Sequence, residues 1–162
     1  MDTNQNKHFL TAVTMGDIEK VKLLLQQGAN PGAANQDTDT ALQLAAERGF
    51  TTIVIALLDA GVDVDVKNID GTTALMAAAG FGHDETVKLL LARGAEVNPN
   101  PITDSTALIE AANAGHYETV RLLINLGADV NLKNDCGYTA LWAAADEGHD
   151  DVVELLKDAG GN

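Results

Sequence analysis

Cysteine, serine and proline are nearly absent from the 162-residue chain, which has one cysteine, Cys136, one serine, Ser105, and three prolines. A single thiol excludes an internal disulfide bond and fits a reducing compartment, so we expect a cytoplasmic protein. The apolar runs fall short of the roughly 18–20 residues that span a membrane. The first residues, MDTNQNKHFL, lack the apolar core of a secretory signal. Neither membrane association nor export is therefore expected.

Basic residues are also scarce, because Lys and Arg number 10 against 24 Asp and Glu. The formal net charge is −14, and such a surface repels the phosphate backbone of nucleic acids. We therefore expect no nucleic-acid partner. With 46% hydrophobic and 21% charged residues, the chain has the composition of a folded globular domain.

Glycine is plentiful, and its spacing reveals an internal repeat. Two glycine series recur every 33 residues, and a threonine series followed by Ala-Leu keeps the same period. A fixed period of roughly 20–50 residues indicates a stacked repeat architecture. The series are Gly16, Gly49, Gly82, Gly115 and Gly148; Gly28, Gly61, Gly94, Gly127 and Gly160; and Thr40, Thr73, Thr106 and Thr139.

Each unit is predicted to contain two short antiparallel helices preceded by a turn. Thr73 is suited to N-cap the first helix, and Gly82 is suited to end it. Residues 68–71, Asn-Ile-Asp-Gly, carry a tight-turn signal that predicts a hairpin-like finger. A second helix is expected before Gly94, with Val87, Leu89, Leu90 and Leu91 on its buried side.

These segments resemble the ankyrin repeat, whose period is also 33 residues. The resemblance rests on residues 70–75 (DGTTAL), 82–83 (GH), 87–91 (VKLLL) and 94–98 (GAEVN), and it covers about residues 5–160 in a style similar to bacterial ankyrin proteins. It implies an all-α fold, an ankyrin-repeat solenoid of stacked helix-turn-helix units with short β-hairpin-like fingers. We expect a single domain over residues 1–162, with repeats at approximately 5–34, 35–67, 68–100, 101–133 and 134–162.

Three positions depart from the regular pattern. The turn glycine found at Gly71 is replaced by Thr38, although threonine resists a positive φ. Prolines stand where a finger strand would run, so an irregular finger is expected at 99–105. Lys157 occupies a position that is apolar in the other units, which suits a terminal unit without a neighbour.

Histidine, cysteine and serine form no catalytic or metal-binding pattern. His83, His116 and His149 occupy the same site in successive repeats. Stacked helices lie ~8–10 Å apart, whereas zinc holds nitrogen ligands at roughly 2 Å. The resemblance to the ankyrin repeat implies that these histidines open the second helices instead. Cys136 is expected at a finger tip, and Ser105 lies outside a nucleophile elbow. The sequence therefore predicts no enzyme, no cofactor and no metal site.

The resemblance implies that fingers and first helices line a concave groove, with the second helices on the convex back. Phe81 and Tyr138 are expected to be exposed, because flanking glycines or turns make their sites hard to bury. Trp142 is expected either to fill space between repeats or to contact a partner. Buried aromatic side chains are frequent anchors of interfaces. The predicted partner-binding residues are Ile69, Asp70, Thr72, Phe81, Ile102, Asn113, Tyr138, Trp142 and Asp146.

The favoured function is a non-enzymatic, monomeric protein-protein interaction module that binds, scaffolds or regulates a partner through this groove. Residues 134–162 hold seven acids against one base, which favours a partner with a basic surface. One alternative is an inhibitor or immunity-type protein whose acidic groove blocks a basic enzyme. A second alternative is a structural or engineered scaffold without a dedicated ligand, against which the uneven repeats argue.

Overall fold

The computed structural model describes residues 3–36, 38–99 and 105–162, and within these ranges the chain forms ten helices. The helices form five pairs that stack on one another, so the predicted all-α stack is confirmed. The first helices are α1 (Thr3–Thr14), α3 (Ala41–Glu47), α5 (Ala74–Gly80), α7 (Ala107–Asn113) and α9 (Ala140–Asp146). The second helices are α2 (Ile18–Gln26), α4 (Thr51–Asp59), α6 (Asp84–Ala92), α8 (Tyr117–Asn125) and α10 (Asp150–Asp158).

The recurring threonine starts each first helix after α1, as predicted. The Thr73 hydroxyl accepts a hydrogen bond from the backbone N–H of Met76, which satisfies one of the free donors of the first turn. At Thr40 the bond is reciprocal, because the Gln43 side chain accepts from the Thr40 N–H and completes a capping box. The same cap recurs at Thr106 and Thr139.

Small residues face each other along the first helices. Ala45, Ala78, Ala111 and Ala144 occupy the same position in successive units and are fully buried. Their short side chains let neighbouring first helices approach closely, and these helices contact one another more extensively than the second helices do. The first helices are therefore the more closely packed layer of the stack.

The second helices bury one side, as the sequence predicted. In α6 the fully buried residues are Thr86, Val87 and Leu90, whereas Leu89 and Leu91 pack against the core at its edges and are half-buried. The burial of Thr86 is tolerated because its hydroxyl lies 2.9 Å from the Thr51 hydroxyl of the preceding unit, which satisfies it. The nine-residue helix thus has a buried centre and half-buried leucines beside it.

The fingers are the connections from each second helix to the next first helix: residues 27–40, 60–73, 126–139 and the described parts of 93–106. Asparagine organises their turns: the Asn68 side chain accepts bonds from the N–H groups of Asp70 and Thr72. Asn134 accepts likewise from Tyr138. The fingers are therefore turns held by side chains, with one antiparallel bridge, Ala34 to Thr40, among the described residues.

The finger of the second unit contains a strained residue. Thr38 has φ of 71°, close to the 76° of Gly71 at the equivalent turn position. A threonine in this left-handed region brings its Cβ close to the backbone carbonyl, at a cost of about 1–2 kcal/mol. The corresponding Asp104 and most of the irregular finger expected at 99–105 lie outside the described residues, so that expectation stays a prediction.

Replacing the strained threonine should stabilise the protein. We expect Thr38→Gly to raise the free energy of unfolding by about 0.5–1 kcal/mol, because the relieved strain exceeds the added flexibility of the unfolded chain. Urea unfolding followed by circular dichroism measures the change. The matched control is Thr52→Gly in the exposed first turn of α4, which should be destabilising. A destabilised Thr38→Gly variant would contradict the assigned strain.

A second side-chain series joins the fingers to one another. The Asn98 amide donates to the Gly127 carbonyl, and its oxygen accepts from the N–H of Asp129 in the next unit. Asn131 repeats this two-way bond with Gly160 and Asn162. The equivalent residue one unit earlier is Asp65. It accepts from the Glu96 N–H, but a carboxylate has no N–H to donate to the carbonyl of Gly94.

This difference gives a paired test. We expect Asp65→Asn to add the missing donor and stabilise the protein by about 0.5–1 kcal/mol, the net value of one exposed hydrogen bond. Asn98→Asp should remove a donor and destabilise by a similar amount. Denaturant midpoints of both variants are compared with the parent chain. If neither midpoint moves, these bonds contribute nothing to the coupling of the units.

Candidate protein-binding surface

Large apolar side chains are exposed on the surface formed by the fingers and first helices. Ile69 lies in a finger turn, Phe81 ends α5, and Tyr138 and Trp142 bracket the start of α9. Phe81 is 57% exposed and Tyr138 is 40% exposed, so the predicted exposure of both is confirmed. The sequence analysis missed three other exposed apolar residues: Leu23 on α2, Leu126 directly after α8, and Met15, which follows α1 at the position that Phe81 has after α5.

Phe81 stands alone at the end of α5. It is the C-cap residue, its N–H bonds to the Ala77 carbonyl, and Gly80 and Gly82 on either side have no side chain to cover it. Its ring is nearly parallel to the His83 ring, with a centroid distance of 6.5 Å. The backbone is therefore fixed while the ring projects from the surface.

Tyr138 and Trp142 form an exposed aromatic pair. Their ring centroids are 3.7 Å apart and the rings are within 9° of parallel. Asn134 holds the backbone of Tyr138, and the Thr139 cap holds that of Trp142. Stacking covers one face of each ring, yet Trp142 remains 44% exposed. The pair is thus held in place before any partner arrives.

Trp142 is more exposed than the equivalent residues of the earlier units. Gln43, Met76 and Ile109 are 3%, 4% and 6% exposed. The Gln43 side chain faces the following unit, because its amide donates to the Thr72 carbonyl. Trp142 occupies the same position in the fifth unit, where the Tyr138 ring stacks on it.

The other predicted residues differ in availability. Ile69 and Asp70 are exposed, but α5 separates them from Phe81. Thr72 is half-buried, and its N–H and carbonyl are bonded to Asn68 and Gln43 within the stack. The side chains of Asn113 and Asp146 are exposed. Ile102 lies outside the described residues.

The three predicted histidines open the second helices, which confirms that expectation. Each ring also reaches back across the unit boundary. Nε2 of His83, His116 and His149 lies 2.8, 3.0 and 3.0 Å from the main-chain carbonyl oxygens of Glu47, Gly80 and Asn113, respectively. Among the described residues no three His, Cys, Asp or Glu side chains are grouped to hold a metal ion.

Each histidine ring lies over a glycine of the preceding unit. A Cβ placed on Gly49 would come within 2.6 Å of His83, and one on Gly115 within 2.6 Å of His149. Both glycines have φ near 70°. We call such a positive-φ glycine, together with the main-chain carbonyl two residues before it, the imidazole seat of a unit.

Comparison with known protein families identifies this architecture. A family model described as "Ankyrin repeats (3 copies)" matches residues 9–101 and 98–162. The chain belongs to the ankyrin-repeat family. No curated protein matches it. Ankyrin repeats generally mediate protein-protein interaction and are typically not enzymes. No helix in the part of the chain that the structure describes is both long and apolar enough to cross a membrane.

Charge is unevenly distributed along the ankyrin stack. The fifth unit presents exposed acids at its finger, at the end of α9 and along α10. On α6 the hydrogen bond and the charge of Glu85 raise the pKa of Lys88. The exposed acids are Asp135, Asp146, Glu147, Asp150, Asp151, Glu154 and Asp158, with Lys157 as their exposed base.

Substituting the glycine at the same position in two consecutive ankyrin units measures how much the ring contact of the imidazole seat contributes to stability. Gly115 and Gly148 have φ of 72° and 77°, but only Gly115 lies beneath a histidine ring. We expect Gly148→Ala to cost about 1–2 kcal/mol of stability through backbone strain alone. Gly115→Ala should cost about 1–3 kcal/mol more, because its Cβ displaces the His149 ring. Equal costs in chemical unfolding would show that the ring contact adds no stability.

Proposed function

We propose that this ankyrin-repeat chain is a non-enzymatic module that binds, scaffolds or regulates a partner protein through its fingers and first helices. The observation that carries the proposal is the exposed, stacked pair of Tyr138 and Trp142. Aromatic side chains that become buried on binding commonly dominate the energy of protein interfaces. Because the backbone of both residues is already held, little ordering entropy is lost on association.

The exposed aromatic residues also argue against a scaffold with no ligand. Half of the six aromatic residues, namely Phe81, Tyr138 and Trp142, are exposed on the finger and first-helix surface. Buried alanines make the contacts between first helices, so packing of the stack does not account for the exposed rings. Large exposed rings increase the risk of nonspecific association and are therefore best explained by a partner that covers them.

The charge of the chain supports a partner with a basic surface. The net charge is −14, and exposed acids of the fifth unit border the aromatic pair. Complementary charge accelerates encounter and discriminates against acidic partners and nucleic acids. The same features support a second candidate function, an inhibitor whose acidic surface covers the basic active site of an enzyme.

We further propose that the chain acts as a monomer in the cytoplasm and catalyses no reaction. The single cysteine supports a reducing compartment. A high net charge opposes self-association.

The binding surface is tested with variants on both sides of the stack. A partner captured from the source cell and identified by mass spectrometry is used to measure association and dissociation rates by surface plasmon resonance. Phe81→Ala and Tyr138→Ala should each weaken binding by ~2 kcal/mol, mainly through faster dissociation. Asp146→Lys should slow association, and added salt should reduce that loss.

The matched controls are Lys88→Ala and Arg121→Ala, which remove exposed cations of the second helices. Both should bind the partner like the parent chain. Unfolding curves of every variant separate lost binding from lost folding. If the controls abolish binding while the Phe81 and Tyr138 variants bind normally, the surface has been assigned to the wrong side.

A further inference from the structure

Glu110 is a half-buried acid on the first helix of the fourth unit. It stands in α7 at the position that Leu44, Ala77 and Ala143 occupy in other units. Its side chain lies against Gly80 of the preceding unit, because a Cβ placed on Gly80 would be 3.5 Å from the Glu110 Cβ and 3.9 Å from its Oε2. Within the described residues this carboxylate has no ion-pair or hydrogen-bond partner.

Phe81 follows Gly80 directly, so the exposed ring and the carboxylate belong to one small area of the surface. Phe81 is 57% exposed, and the glycines on either side of it contribute no side chain that could separate the two groups. We call Gly80, Phe81 and Glu110 together the Phe81 site. Both of its helices are internal, because α5 packs between α3 and α7, and α7 packs between α5 and α9.

The unpartnered carboxylate restricts what can cover the ring. A partner surface that buries the Phe81 ring also removes water from Glu110, because the carboxylate lies beside the preceding residue. Burying a carboxylate that has no partner is strongly unfavourable, and a purely apolar partner surface leaves it in that state. The partner therefore has to supply a positively charged donor together with a group that packs on the ring.

Arginine meets both requirements with one side chain. Its guanidinium group is flat, stacks on aromatic rings, and donates two parallel N–H groups to a carboxylate. Lysine supplies the charge without the flat shape or the paired donors. Arg48 has the position of Phe81 in the preceding unit and lies on the side opposite to Glu110. Its charge favours a bound cation on the Glu110 side of the ring.

We propose that the Phe81 site binds an arginine side chain of the partner protein. The guanidinium group stacks on the Phe81 ring and donates to the Glu110 carboxylate, in the space left by the missing side chain of Gly80. This inference rests on the proposed function, because it names the chemical group that the partner presents to the third and fourth units.

Three blocked pentapeptides test the site without the partner. They have the form Gly-Gly-Xaa-Gly-Gly, in which Xaa is arginine, citrulline or lysine, and citrulline has nearly the shape of arginine without its charge. Each is titrated into the intact, isotope-labelled protein at equal ionic strength while NMR follows the amide signals of Gly80, Phe81 and Gly82. At these residues we expect the arginine peptide to bind about tenfold more tightly than the citrulline peptide and about threefold more tightly than the lysine peptide.

Glu110→Gln is the decisive variant, because glutamine keeps the shape of the side chain and removes its charge. The matched control is Glu47→Gln, which removes the same charge from a half-buried residue at the end of α3 that precedes Arg48 instead of an aromatic ring. The affinity of the arginine peptide should fall about fivefold in Glu110→Gln and change less than about twofold in Glu47→Gln. Phe81→Leu should abolish the preference for arginine over lysine, because it removes the ring and keeps an apolar side chain.

Three results would overturn the proposal. They are equal affinity of the arginine and citrulline peptides, an unchanged affinity for arginine in Glu110→Gln, and equal losses in Glu110→Gln and Glu47→Gln. Failure here is distinguishable from failure of the proposed function. The peptide titration tests the Phe81 site alone, whereas the rates of the Tyr138 variant with the captured partner test whether the finger and first-helix surface binds a protein.

Discussion

The contact between consecutive units is the interaction on which the rest of this structure depends. Helices of seven to nine residues are too short to be stable alone in water, so each pair needs a neighbour to cover its apolar face. Three kinds of contact fix that neighbour: alanines between first helices, a ring over a glycine, and asparagine bonds between fingers. The ring contact demands the most of the sequence, because the glycine must provide both a positive φ and an empty Cβ position. Strict spacing of Gly49, Gly82 and Gly115 is therefore a packing requirement as well as a turn requirement.

Most of the fold could be predicted because its local signals repeat. The threonine caps, the loop glycines and the helix-opening histidines each recur with the 33-residue period, and all three expectations are confirmed. The extent of burial is less predictable, because tertiary packing decides it. The sequence placed Leu89 and Leu91 on the buried side of α6, and both pack against the core but remain half-buried at its edges. Periodicity reports which residues are apolar, whereas the number of packed neighbours sets how wide the buried face becomes.

The candidate site was less predictable, for a physical reason. Trp142 occupies a position that is buried in three earlier units, and its residue type alone left packing and partner contact as alternatives. Its exposure depends on which side chains pack against that position, and only the structure supplies those neighbours. The spacing of the asparagines in the finger turns is visible in the sequence, but the role of their side chains is not. Asn35, Asn68 and Asn134 share the 33-residue period, yet their joint role emerges only when each side chain is seen to accept backbone N–H groups.

Repetition lets one position of the unit serve either packing or recognition. Gln43, Met76 and Ile109 are almost fully buried, whereas Trp142 at the same position is 44% exposed and stacked on Tyr138. The threonine cap that fixes the backbone of this position in the earlier units also fixes it in the fifth. The fold thus supplies a rigid backbone at no extra cost to the sequence, and the residue type at this position decides whether the side chain fills the interior or is exposed to a partner. This economy is the physical basis of the proposed binding surface.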